Sequence, residues 1–244
     1  MIPGLGTLVN IATVLGGSTV GVLAGARMPE RTRRVVTDGL GLVTLLIAGT
    51  AMVAVADPAL EAAVGSAAPL MIVLFSVLLG GITGSLLRLE DRLEGLGESL
   101  RRTVARSDDQ GFVEGFVVAS LVFCVGPLTV LGSLQDGLGE GADFLLLKSA
   151  LDGFAAIAFA AAFGWGVAAS AVSVAVVQGS LTAVGLVVGN VLSEAAVASL
   201  TATGGVLLVG VALRLLDIRR ISVVDLLPAF VFAPIVSEFV AWLH

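Results

Sequence analysis

Long apolar stretches separated by short polar connections dominate the chain. A helix that crosses a bilayer needs about 20 mainly apolar residues, and eight stretches of the sequence approach that length. The predicted spans one to eight cover roughly residues 5–26, 35–56, 67–87, 112–134, 149–166, 170–190, 198–216 and 223–243. This pattern predicts an all-α, polytopic transmembrane helix bundle that forms a single integral membrane domain over residues 1–244.

The positive charges lie mainly in three of the connections. Twelve of the 13 Lys and Arg residues follow spans one, three and seven. With eight spans these connections share one side, which the positive-inside rule makes cytoplasmic, so we expect both termini outside. Residues 88–111 form the only sizeable polar stretch. Its alternating charges predict a cytoplasmic amphipathic linker between spans three and four.

Composition narrows the class of protein. The 244 residues are 57% hydrophobic and 13% charged, whereas soluble domains are typically about 45–50% apolar and about 25% charged. These values exclude an ordinary soluble enzyme, a nucleic-acid binder and a disordered chain. The single Cys and single His leave no cluster of thiolate or imidazole ligands, so we expect no metal centre of that type and no cofactor. Cation sites built only from oxygen ligands stay open.

Small residues mark a predicted packing face. Gly17, Gly21 and Gly25 recur every four residues in span one and therefore lie on one face of the helix. In a bilayer such faces let two backbones approach closely. The face predicts helix packing, either within the chain or in a homodimer.

The ends of spans three and seven resemble each other. Gly84-x-x-x-Arg88-x-x-Asp91 matches Gly210-x-x-x-Arg214-x-x-Asp217 at a constant offset of 126 positions. The match indicates a four-plus-four internal repeat, as transporters often have. Chance matches in glycine-rich apolar sequence are the alternative.

Span four contains a break. Gly126 and Pro127 predict a hinge, because Pro removes a backbone donor from the helix. Thr129, Ser133 and Asp136 follow at helical spacing, with Gln135 beside them. They form a polar stripe that could bind an ion or solute, or a structural kink whose hydroxyls bond back to the backbone.

A charged pair stands at the outer start of span five. Lys148 and Asp152 are four residues apart and so share a helix face. An ionisable residue at a helix centre costs about 2.5–3.5 kcal/mol on insertion scales. The pair either neutralises itself or binds an ion or an anionic group.

Other polar residues occur inside or at the ends of the spans. Span one offers Asn10, and span six carries Gln178 and Thr182 on one face. Asp38 and Asp225 begin spans two and eight, where a carboxylate caps a helix N-terminus, so we interpret both as caps.

Several of these motifs resemble a known family. They are Gly126-Pro127-Leu128-Thr129-Val130-Leu131-Gly132-Ser133-Leu134-Gln135-Asp136-Gly137, Lys148-Ser149-Ala150-Leu151-Asp152-Gly153, Gln178-Gly179-Ser180-Leu181-Thr182 and Leu227-Pro228-Ala229. The chain is similar, over nearly its whole length, to the YdfK/YqgA-like family of small bacterial inner-membrane proteins. The resemblance implies a bacterial plasma-membrane location and a transport role, although the family brings no established activity.

Two functional hypotheses follow. The first is a secondary transporter or channel-like permease for a small ion or polar solute, with its site between the broken span four and spans five and six. Its ligands would be Asn10, Thr129, Ser133, Gln135, Asp136, Lys148, Asp152, Gln178 and Thr182. The second is a non-transporting assembly or regulatory protein that acts through a glycine-zipper dimer and its cytoplasmic loop. An intramembrane enzyme fits worst, because no catalytic motif is present.

Overall fold

Helices make up all the regular structure in the part of the chain that the computed structural model describes, which is residues 3–26, 29–104, 111–124, 127–139, 141–188 and 192–243. A short 3₁₀ turn over Val53–Ala56 extends the second helix. The α-helices are α1 (Leu5–Gly25), α2 (Glu30–Met52), α3 (Pro58–Val64), α4 (Ala68–Leu87), α5 (Leu89–Val104), α6 (Phe112–Cys124), α7 (Pro127–Leu138), α8 (Asp143–Phe163), α9 (Gly166–Ala169), α10 (Ala171–Val188), α11 (Glu194–Leu215), α12 (Val223–Leu226) and α13 (Ala229–Leu243).

The apolar helices confirm the prediction of a polytopic all-α bundle. Within the described ranges seven helices are long and apolar enough to cross a membrane, and the number becomes eight if a bent pair counts as one span. The bent pair is α6 with α7, whose axes differ by 62°. This break lies where Pro127 predicts a hinge in span four, while Gly126 lies outside the described residues.

Helix ends differ from the apolar stretches where polar residues join the helices. α8 begins at Asp143, earlier than predicted span five, because its first two turns include charged residues that the apolar pattern omits. α2 likewise begins at Glu30, inside the Arg-rich connection. α11 begins at Glu194, since the Ser193 side chain accepts a hydrogen bond from the backbone N–H of Ala196 and so caps the helix.

The chain forms two compact units. The first unit consists of Met1–Leu40 and Leu93–Val191, and the second of Gly41–Arg92 and Leu192–His244. Both units are therefore assembled from segments that are distant in sequence.

Helices α1 and α8 pack closely side by side in the first unit. A Cβ atom placed on Gly17, Gly21 or Gly25 would overlap backbone oxygens of α8, those of Gly153, Ile157 and Ala161 respectively. The partners advance together along both helices, so the two helices run parallel. Of the two predicted uses of this glycine face, the structure has packing within the chain.

The remaining helices of the first unit surround this pair. α7 packs against α10, where a Cβ on Gly137 would overlap the carbonyl oxygen of Thr182. α6 packs against α9, and there Gly166 faces the carbonyl oxygen of Phe112. Close backbone contacts thus hold the broken pair α6 and α7 in place.

Helix α11 forms the centre of the second unit. It is the most buried of the candidate spans, since 72% of the residues in an apolar 18-residue stretch of it are buried. Leu60, Val64 and Ile72 form an apolar cluster with Ala195 and Ala198 near the start of α11. α4 packs against α12 and α13, with Gly80 facing the backbone of Ala229 and Gly84 the carbonyl oxygen of Asp225.

The predicted linker contains a helix. α4 ends at Leu87, where the C-cap residue Arg88 adopts a left-handed conformation with φ 51°, and α5 follows at once over Leu89–Val104. Residues 105–110 of the predicted linker lie outside the described part.

The predicted repeat stays a prediction. α1 and α8 each have 21 residues, and α4 and α11 begin 126 positions apart. The first pair begins 138 positions apart, so a duplication would need an insertion or deletion within one half.

Candidate functional site

An ion pair lies buried in the first unit. The ammonium group of Lys148 donates a hydrogen bond to Asp152 Oδ2 at 2.5 Å. Their side chains are only 7% and 9% exposed. The i,i+4 spacing on α8 places both on one helix face, as predicted.

Asn10 joins this pair from α1. Its Nδ2 donates to the same oxygen, Asp152 Oδ2, at 2.9 Å, across 142 residues of sequence. Asn10 is fully buried. The close approach of α1 and α8 brings this amide to the carboxylate, because Gly17 and Gly153 leave no side chain between the helices. The structure therefore brings three predicted site residues together.

Asp136 has a different partner. Its Oδ2 accepts a hydrogen bond from the backbone N–H of Gly6 at 3.2 Å. Gly6 lies in the first turn of α1, where N–H groups lack partners within the helix and the helix dipole favours an anion. Asp136 is thus a predicted binding residue that stabilises the start of α1.

Thr182 also contacts the beginning of α1. Its hydroxyl lies 3.4 Å from the hydroxyl of Thr7. Gln178 is one turn earlier on α10 and is fully buried. Thr182, on the predicted face of span six, therefore meets α1 about one turn before Asn10.

Thr129 supports the break between α6 and α7. Its hydroxyl donates to the carbonyl oxygen of Phe123 at 3.3 Å. A break leaves carbonyl groups at the end of the preceding helix without partners, and Thr129 satisfies one of them. This contact fits the alternative in which span four has a structural kink and its hydroxyls bond back to the backbone. Pro127 is the first residue of α7, a position that proline favours.

Four predicted site residues carry buried polar atoms that have no hydrogen-bond partner among the described residues. They are Asn10 Oδ1, Ser133 Oγ, Gln135 Oε1, and both amide atoms of Gln178. Most buried polar side-chain atoms in proteins are paired, and an unpaired one costs about 1–3 kcal/mol. Asn10 Oδ1 adjoins the ion pair, because the nitrogen of the same amide donates to Asp152.

A second polar cluster lies in the second unit, and the sequence did not reveal it. Arg214 Nη1 donates to Glu90 Oε1 at 2.6 Å. Glu90 Oε2 accepts from the backbone N–H of Val224, and the N–H of Glu90 donates to Asp225 Oδ1, both at 3.0 Å. The motif Gly-x-x-x-Arg-x-x-Asp marked Arg214 only as part of a repeat.

This cluster corrects the interpretation of Asp225 as the cap of span eight. Asp225 lies inside the single turn α12, which Ser222 precedes. Its carboxylate instead caps α5, of which Glu90 is the second residue. The backbone N–H of Glu90 reaches the Asp225 carboxylate because Gly84, near the end of α4, lets the backbone of Asp225 approach closely.

The site in the first unit combines a carboxylate, an ammonium group and amides. Nowhere in the described ranges do three or more His, Cys, Asp or Glu side chains come together as metal ligands. The arrangement is suited to holding a small charged or polar species by exchange of partners.

The chain matches two curated bacterial proteins along almost its entire length. It is 26% identical over 231 residues to the uncharacterized membrane protein YdfK of Bacillus subtilis, covering 95% of this chain and 94% of that protein. It is 27% identical over 243 residues to the uncharacterized protein YqgA of Escherichia coli, covering 98% of each. No solved structure matches the chain.

These matches agree with the resemblance to the YdfK/YqgA-like family that was inferred from motifs in spans four, five, six and eight. A family model described as protein of unknown function (DUF554) matches residues 5–238. The chain therefore belongs to the DUF554 family, a family of unknown function to which the YdfK/YqgA-like resemblance already pointed.

Proposed function

We propose that this membrane protein is a secondary transporter or channel-like permease for a small ion or small polar solute. Its site would be the group of Asn10, Lys148, Asp152 and Gln178 in the first unit. Ser133, Gln135 and Thr182 would complete the polar surface, while Thr129 and Asp136 would hold α7 and α1 in position.

One observation carries this proposal. The buried Lys148–Asp152 pair receives Asn10 from a second helix, and Asn10 Oδ1 and the Gln178 amide are buried without a partner in the described part. A bundle that needed only a neutral core would place apolar groups here, since a buried ion pair seldom adds stability over well-packed apolar residues. Ionisable groups inside a membrane typically mark an ion or substrate path.

The topology forms part of the proposal. The Arg-rich connections would face the cytoplasm of a bacterium, both termini would lie outside, and the lipid bilayer would surround the bundle. The protein would act without a cofactor, as a transporter and not as an enzyme.

A dimeric assembly or regulatory protein is the weaker candidate. Its predicted contact surface was the face of Gly17, Gly21 and Gly25, and α8 covers that face within the chain. A homodimer would therefore need a different surface.

Flux into liposomes tests the transport proposal. We expect purified protein to move at least one member of a panel of small ions and polar solutes, and Asp152→Asn to reduce that flux at least 100-fold. Asp91→Asn makes the same chemical change on the exposed side of α5 and should retain full flux. Absence of flux for the whole panel, or equal flux in both variants, would contradict the proposal.

A further inference from the structure

The ion pair of the first unit has one fixed and one movable member. Asp152 is the tenth residue of α8, and its short side chain carries a charge that cannot reach the end of the helix. Lys148 is only the sixth residue, and its long flexible stem can carry the ammonium group towards the end of the helix. A species that enters the site can therefore displace the ammonium group far more readily than the carboxylate.

Displacement of the ammonium group leaves a buried anion, so the entering species must be a cation. An anion at Lys148 would instead leave Asp152 charged and unpaired in a low-dielectric site, which is strongly unfavourable. The exchange keeps the site neutral only for a single positive charge, because one carboxylate neutralises one charge. This argument excludes both anions and divalent cations as the main ligand.

The chemistry of the atoms next to the carboxylate agrees. Asn10 Oδ1 is a fully buried oxygen acceptor with no hydrogen-bond partner in the described part of the chain, and it adjoins Asp152. Gln178 Oε1, on α10 one turn from the Thr182–Thr7 contact, is a further buried acceptor of the first unit without a hydrogen-bond partner in the described part. Carboxylate and amide carbonyl oxygens are the ligands that hard cations prefer.

We propose that the site binds a monovalent alkali-metal cation on Asp152, and that the Lys148 ammonium group is its built-in competitor. Asn10 would turn its amide oxygen to the bound cation after losing its hydrogen bond to the carboxylate. This inference rests on the proposed transport function for its biological meaning, but the cation site can be tested without flux.

Lys148 is the only lysine in the chain, so an amine-reactive reagent reports on it directly, with the N-terminal amine resolved by peptide mass spectrometry. In purified wild-type protein we expect labelling of Lys148 to become at least threefold faster in NaCl or KCl than in choline chloride of equal ionic strength. The effect should saturate with cation concentration. Equal labelling rates in the three salts would overturn the cation site.

Variants give a second test. Lys148→Met removes the competitor and should tighten cation binding at least tenfold, measured as the salt concentration that gives half the maximal rise in melting temperature. Asp152→Asn should abolish the specific rise, while Arg92→Met, a matched loss of charge on the exposed side of α5, should bind like wild type. If Lys148→Met does not fold, the wild-type labelling experiment decides alone.

The outcomes separate this inference from the transport proposal. If solute flux depends on Asp152 but the labelling rate of Lys148 does not depend on the salt, the cation site is overturned and the transport proposal is retained. Cation-dependent labelling without any flux would support the cation site and contradict transport.

Discussion

In the described part of the chain the first unit holds a buried ion pair and the second a partly buried one, and the two differ in how fully their partners are matched. In the second unit, Glu90 binds Arg214 with one carboxylate oxygen and a backbone N–H with the other. In the first unit, Lys148 and Asn10 both donate to one oxygen of Asp152, and the other atom of the Asn10 amide has no partner in the described part. The Glu90 pair joins three helices, α5, α11 and α12, as a structural tie does. The Asp152 pair leaves bonding capacity unused, which a ligand can take up.

Removal of Glu90 should have the largest effect on stability. Glu90→Ala removes a carboxylate partner from the partly buried Arg214 and takes the partner from the N–H of Val224. Loss of a hydrogen bond to a charged group costs about 1.5–3 kcal/mol, and the bond to the N–H of Val224 is lost with it. We expect a fall of that size in the free energy of unfolding, measured by denaturant titration in detergent, with normal flux by the protein that stays folded. A loss below 1 kcal/mol would contradict a structural tie.

Packing of α1 on α8 should come next. Gly21→Ala places a methyl group against the backbone of Ile157 and the side chain of Ala160. Overpacking of this kind costs about 1–3 kcal/mol. Gly16→Ala is the matched control, because nothing lies within 4 Å of a Cβ at that position. Equal unfolding free energies for the two variants would show that the glycine face does not hold the helices together.

Gln178 should separate stability from transport. Gln178→Met keeps the approximate volume but removes two buried amide atoms that have no partner in the described ranges. Replacing an unpaired polar group by an apolar one is near neutral or stabilising. We expect an unfolding free energy within about 0.5 kcal/mol of wild type and a severalfold loss of flux. If Gln178 serves only the fold, flux will stay at the wild-type value.

The smallest effect should come from α5. Hydrogen bonds to Glu98, first from Arg101 and then from Arg102, hold the pKa of that carboxyl below its ordinary value. The bonds therefore support α5 above the ordinary carboxyl pKa, and the support is lost as the pH falls through the lowered pKa. Because Glu98 is only partly buried and solvent screens its charge, we expect Glu98→Gln to speed amide hydrogen exchange in α5 less than about twofold at pH 7. A larger change would indicate that α5 depends on this pair.

Most of the fold could be predicted from the apolar pattern. α1 and α4 begin and end within about one residue of predicted spans one and three, because their boundaries coincide with a change from apolar to polar sequence. α8 begins earlier than predicted. The apolar pattern starts the span only after Lys148, whereas the pairing of Lys148 with Asp152 allows the helix to include charged residues.

The candidate site could be predicted only in part. The i,i+4 spacing of Lys148 and Asp152 predicts that both side chains lie on one helix face, so their contact was expected. The bond from Asn10 to Asp152 spans 142 residues, and no local periodicity encodes so distant a partner. The same holds for Asp136, whose partner is a backbone N–H of α1 that any residue could supply.

The parallel packing of α1 on α8 also determines when the site can exist during synthesis. α1 begins at Leu5 and α8 at Asp143, 138 positions later. At about 5–20 residues per second, a ribosome needs roughly 7 to 28 s to make that intervening sequence. Throughout that time the amide of Asn10 and the glycine face of α1 lack their contacts with α8, because α8 has not yet been translated. α1 thus acquires this partner only after α2, α4, α6 and α7 have been made, and biogenesis of this protein depends on α1 remaining uncommitted until then.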